Sequence, residues 1–196
     1  MAEDFLTAVQ SRVARVAVSP SAVRRQDPGA TVAARRFLAG LDLTLFTAPN
    51  PVLFREVLDQ QTEGLIKALP AVSRSFGLSR KLLNIFLRDS LYTFYLRQEY
   101  ELEKTEDFFE IPLDSITAGH IWREATDESR PPRWETVRRL TPEASDAYQS
   151  SAADIAVTQG IARVHLDTFW WGEFATSPWT DEALRARHLS QAALSA

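Results

Sequence analysis

Apolar residues recur at helical spacing through most of this chain, and turn residues punctuate them at regular intervals. Phe5, Val9, Val13 and Val16 mark a first helix that ends near Ser19-Pro20. Ser21 to Gly29, with Arg24, Arg25 and Asp27-Pro28-Gly29, reads as a turn-rich connector. Thr31 caps a second helix through Leu38, and Gly40 stops it. Asn50-Pro51 pairs an N-cap with a first-turn proline, opening a helix whose apolar positions continue towards Leu69. Ser79 opens the longest helix, running to about Tyr100. Ile116, Ile121 and Trp122 predict a helix to about Glu124, which Arg130-Pro-Pro-Arg133 breaks. Thr141-Pro142 opens another to about Gly160, Val164 to Trp171 one more, and Thr180 caps a terminal helix to about Gln191. The single alternating stretch, Phe108 to Ile111, is too short for a strand. The pattern therefore predicts an all-α fold, a single-domain helical bundle over residues 1–196.

Composition narrows the chemistry. Hydrophobic residues at 45% and charged residues at 24% are those of an ordinary globular chain, and 196 residues suffice for a core. No apolar run approaches the roughly 18 residues a membrane span needs, so no membrane partner is expected. The acidic start, Met1-Ala-Glu-Asp-Phe-Leu, has no signal-peptide character, and the expected compartment is the cytoplasm. The absence of cysteine removes disulfides, thiol nucleophiles and thiolate metal sites, and three scattered histidines do not make a zinc centre. A net charge of −4 argues against indiscriminate nucleic-acid binding but allows a local basic face.

Two local settings carry the candidate chemistry. In the first, a helix ends at Leu69-Pro70, a turn passes through Gly77, and Lys81 follows one turn into the next helix. Gly77 supplies positive φ for a tight connection, and the helix start at Arg74, Gly77, Ser79 and Arg80 offers N–H donors and cations to a phosphate. An ordinary helix-turn-helix packing unit explains the same residues. In the second, Asp114 follows Ile-Pro-Leu and caps a helix, where backbone donors stabilise its anion. An amine and a carboxylate converging on one pocket combine a covalent nucleophile with a group that stabilises a developing cation. His120 and Glu124, four apart, share a helix face but are too few for a metal site. His165 and Asp167 are expected to diverge on a helix, and both histidines read as structural. Arg24, Arg25, Arg130, Arg133, Arg138 and Arg139 suggest a basic face turned to a polyanion.

The order hairpin, lysine, apolar helix, then Pro112-Leu113-Asp114 opening a helix resembles the helix-hairpin-helix DNA glycosylases. It is similar to the lysine-bearing branch that excises oxidised purines, including the compact archaeal type specific for 8-oxoguanine. The likeness spans Leu69 to Trp122, and a glycosylase-like core would cover about 51–172. The resemblance implies a DNA N-glycosylase, with or without lyase activity, that flips a modified base out of double-stranded DNA and acts as a monomer in base-excision repair or phage defence. Lys81 and Asp114 take the catalytic places. Gln60, Gln61, Phe86 and Trp122 are base-pocket candidates, with further aromatic walls sought among Tyr92, Phe94, Tyr95, Phe108, Phe109 and the Phe169-Trp170-Trp171 cluster, where Phe169 is expected in the core. No cofactor is implied beyond a monovalent cation on the hairpin carbonyls. Pro70-Ala71-Val72-Ser73 departs from the family's Pro-Gly-x-Gly turn, which weighs against that cation. The alternative is a non-catalytic helical module that binds DNA or an apolar ligand.

Overall fold

The computed structural model describes residues 2–24, 26–48 and 50–170. Within them lie eight α-helices joined by loops and five short 3₁₀ turns, with no strand. Helix α1 is Ala2–Ala17, α2 is Pro28–Ala39, α3 is Pro51–Ala68 and α4 is Phe76–Tyr92. The others are α5 (Phe94–Glu99), α6 (Ser115–Glu124), α7 (Pro142–Gln159) and α8 (Leu166–Trp170). The chain is an all-α single-domain bundle. No helix among the described residues is long and apolar enough to cross a membrane. The predicted helix after Thr180 lies outside the described residues.

Cap chemistry sets most boundaries. Asn50 Oδ1 accepts from the Val52 and Leu53 amides, and Thr141 Oγ1 accepts from Ala144 N. Three expected boundaries move. Asp27 caps α2 through Gly29 N at 2.7 Å with Pro28 in the first turn, so Asp27-Pro28-Gly29 is a helix start and not a turn. Ser75 caps α4 through Leu78 N, which starts that helix before Ser79. Its far end breaks at Thr93, whose backbone is extended and whose hydroxyl donates back to Asp89 O at 2.7 Å, so α4 and α5 are separate helices.

Two apolar clusters divide the interior. The larger packs α1 to α5 around Phe46, Phe54, Leu82, Leu83 and Phe86, and the smaller packs α6 to α8 around Ile111, Ile121 and Tyr148. Helix α4 has three working faces. Leu82, Leu83, Phe86, Leu87 and Leu91 enter the larger cluster. Arg80 and Asn84 reach a buried carboxylate, and Lys81, Ile85, Arg88, Asp89 and Tyr92 line an open cleft. Gly77 has no positive φ; among the described residues only Glu101 and Gly160 do. A Cβ at Gly77 would stand 1.9 Å from Val137 O, so the residue is small because another loop's backbone crosses the helix there.

The stretch 109–114 is extended but has no strand partner. Its backbone groups go to side chains instead. Gln149 Oε1 accepts from Ile111 N at 3.1 Å and Gln149 Nε2 donates to Ile111 O at 2.8 Å, while Arg163 Nε donates to Phe109 O at 2.9 Å. This rigid segment carries Glu110 and Asp114 to the two sides of α4.

Candidate functional site

Lys81 and Asp114 come together. Lys81 Nζ lies 3.2 Å from Asp114 Oδ2, with the side chains 11% and 16% exposed. The two carboxylate oxygens of Asp114 divide their work. Oδ1 accepts from Ile116 N at 2.9 Å and Thr117 N at 3.1 Å, capping α6, which leaves Oδ2 facing the lysine. The pair sits in a half-open cleft of about 680 Å³ at the seam of the two apolar clusters, a size suited to a small-molecule-sized ligand. The end of α1 and the loop after it, from Val16 to Arg24, form the facing wall.

A second carboxylate joins the pair, one that sequence spacing alone set aside. Asp167 is buried and lines the same cleft. Its Oδ1 accepts from Thr117 Oγ1 at 3.2 Å, and its Oδ2 takes a close contact from Arg88 Nη1. Thr117 thus bridges two carboxylates, by its amide to Asp114 and by its hydroxyl to Asp167. Burial pushes the Asp167 carboxyl up, the Asp114 charge adds to that, and Arg88 and Thr117 pull it back, leaving it at about 6. Burial opposes the Arg88 charge, but Asp167 and Asp89 outweigh burial and strengthen its hold on the proton. A cation, a buried acid and the Lys81–Asp114 pair therefore share one wall.

Tyr92 closes the far end. Its hydroxyl lies 2.8 Å from His165 Nδ1 and 3.1 Å from Thr168 Oγ1, and His165 Nε2 lies 2.5 Å from Glu106 Oε1. His165 and Asp167 do not diverge as expected, because the 3₁₀ turn at Arg163–His165 feeding α8 turns both towards α4. An acid two residues after a turn-held histidine was the available signal.

Other expected site residues fall elsewhere. Arg80 is 1% exposed, with Nε 2.8 Å and Nη2 3.0 Å from the two oxygens of Glu110, so it cannot contact DNA. Ser79 and Gly77 are buried beside it and offer a phosphate nothing. Arg74 is exposed, but its guanidinium caps α3 through Leu69 O and Lys67 O. Arg138 donates to Val72 O. Hairpin carbonyls that would face a monovalent cation thus accept from arginine.

The base-pocket candidates also part from the cleft. Phe86 is wholly buried in the larger apolar cluster. Gln60 is exposed and Gln61 half-buried on α3, and Trp122 lies under the Arg130 guanidinium at 5.0 Å; none lines the cleft. Phe94 and Tyr95 are exposed, whereas Phe109 is buried. Phe169 is exposed, not in the core, because α8 turns Leu166, Asp167 and Trp170 inward. Trp170 stacks on His120 with centroids 5.1 Å apart. Arg24 lines the cleft mouth, while Arg25 and Trp171 lie outside the described residues.

The fold and site define an all-α bundle with an amine and three carboxylates, Asp89, Asp114 and Asp167, lining one cleft. No family model, curated protein or solved structure matches this chain.

Proposed function

We propose that this chain is a DNA glycosylase, with an accompanying lyase step, that cleaves the N-glycosidic bond of a modified base in double-stranded DNA, for repair or for defence against phage. One observation carries the reading: Lys81 Nζ stands 3.2 Å from Asp114 Oδ2 inside an open cleft. The resemblance of the hairpin, the lysine helix and the Pro-Leu-Asp segment to helix-hairpin-helix glycosylases supports it.

The chemistry follows from the two groups. Loss of the base leaves positive charge on the sugar, and Asp114 Oδ2, the oxygen paired with Lys81, supplies the anion that stabilises it. Lys81, once it has given up its ammonium proton, attacks C1′. The C1′–N bond breaks, and the bonding pair leaves with the base, which takes up a proton. The resulting amine adduct opens to a protonated Schiff base, which loses a C2′ proton to solvent as the C3′–O bond breaks and the 3′ phosphate leaves with its bonding pair. A base inside a duplex cannot reach such a cleft without leaving the stack, so the nucleotide is flipped. Arg24 at the mouth supplies a cation for the flanking backbone.

The second reading is a non-catalytic binding module. It is favoured by the fact that Asp114 caps α6 while Lys81 neutralises it, which makes a complete structural pair on its own. Borohydride reduction in the presence of duplexes bearing an abasic site or modified bases separates the two. The glycosylase reading expects base release and a covalent adduct in the wild type, no adduct with Lys81→Gln, and no release with Asp114→Asn. Absence of adduct and release from every duplex leaves the binding module.

A further inference from the structure

The cleft-facing stripe of α4 extends well past the reacting pair. Lys81 and Tyr92 share that stripe about three turns apart, roughly 16 Å along the helix axis. A bicyclic base whose sugar carbon meets Lys81 covers little more than one turn of that length, about 5.4 Å. It ends beside Ile85, about 6 Å along the axis from Lys81. The cleft continues to Asp89, Tyr92 and Thr168.

The far end is built for hydrogen bonding. Among the described residues Tyr92 is the single aromatic ring lining the cleft, so that end offers hydroxyl, carboxylate and guanidinium groups and not a pair of stacking faces. Tyr92 is also held more firmly than its packing requires. It is 47% exposed, yet its ring stacks on His165 at 5.6 Å and 13°. Fixing an exposed ring costs side-chain freedom. His165 Nε2 donates to the Glu106 carboxylate, which leaves Nδ1 to accept from the Tyr92 hydroxyl. The Tyr92 hydroxyl and Thr168 Oγ1, 3.1 Å apart, belong to residues that line this end of the cleft.

We propose that Tyr92, fixed by His165 and Glu106, reads a polar substituent on the substrate base, so that the cleft takes a nucleotide whose base is enlarged beyond the four ordinary ones. This rests on the glycosylase reading. Tyr92 is the specificity-determining residue; His165 and Glu106 are positioning residues that act through it.

The test measures base release by the full chain from duplexes that differ at one cytosine: unmodified, 5-methyl, 5-hydroxymethyl, and 5-hydroxymethyl carrying a glucose. An 8-oxoguanine duplex and an abasic-site duplex complete the set. The proposal expects kcat/KM to rise along the cytosine series, by about tenfold or more from 5-methyl to the glucosylated base. Tyr92→Phe and Glu106→Gln are expected to raise KM for the glucosylated duplex about five- to tenfold, the effect of one lost hydrogen bond, with kcat little changed. Circular dichroism and thermal melting of each variant separate this from misfolding. Release that is indifferent to substituent size, or greatest for 8-oxoguanine and unaffected by Tyr92→Phe, overturns the inference and leaves the glycosylase reading standing. A borohydride adduct at the abasic site without release of any enlarged base does the same. No adduct and no release anywhere overturns both.

Discussion

Two ion pairs join the same two segments of this molecule, and they are opposites. Arg80 on α4 meets Glu110, and its neighbour Lys81 meets Asp114 on the same extended stretch. Glu110 is saturated: Arg80 takes both oxygens, Arg55 lies at 3.3 Å, and Asn84 donates at 3.0 Å. Burial opposes its ionisation, but Arg80, Arg163 and Arg55 together hold the carboxyl below the usual carboxylate range. Asp114 instead keeps one oxygen for its helix and shows the other to a lysine at the wall of a cleft. The first pair fixes register between helix and segment. The second is left accessible, and accessibility is what chemistry requires.

The sharpest way to break the contrast is to remove the buried partner. Glu110→Gln leaves buried Arg80 to the half-exposed Asp59, 2.8 Å from its Nη1, and is expected to cost about 3–5 kcal/mol in a denaturant titration. An effect below about 1 kcal/mol would mean the pair holds nothing in place.

Asp167 gives the next largest effect, and it depends on pH. Its folded pKa of about 6 lies above the ordinary 3.8, so between these values the folded chain holds a proton that the unfolded chain has lost. Stability from this group is therefore present below about pH 4 and lost as pH rises through 6, by roughly 2–3 kcal/mol. Asp167→Asn lacks that titration. Relative to wild type it should gain stability between pH 4 and pH 7, read from paired urea curves at each pH.

Gly77→Ala probes the crossing of α4 by the Val137 loop. The added methyl meets backbone and not a flexible side chain, and the expected loss is about 1–3 kcal/mol, seen as a lower melting temperature. The smallest effects on stability belong to the cleft pair. Lys81→Gln, and Asp114→Asn with its equally good cap, should each shift unfolding by less than about 1 kcal/mol. Their effect is expected in chemistry.

What could be read from the sequence was local. Asn50-Pro51, Thr141-Pro142 and Asp114 announce their helices because a cap needs only its own next few residues. The convergence of Lys81 with Asp114 was legible because two local motifs framed it. The facing of neighbours was not. Arg80 and Lys81 are adjacent cations about 100° apart around one helix, and which one turns inward is decided by Glu110, distant along the chain. Gly77 resembles a turn glycine until the Val137 carbonyl is seen against it. Tyr92 shares the helix face of Lys81 eleven residues on, a spacing that could have placed it, whereas Asp167 enters the site through its contact with Arg88 of α4, and no spacing rule announces that.

Lys81 is the reacting amine of the proposed chemistry, and the chain simplifies its test by having three lysines, at 67, 81 and 104. Lys67 and Lys104 are exposed and away from the cleft. The direct measurement is peptide mass spectrometry after borohydride reduction of the protein with an abasic-site duplex. One sugar-derived adduct is expected, on the peptide that carries Lys81. An adduct on Lys67, Lys104 or the terminal amine, or none at all, would contradict it.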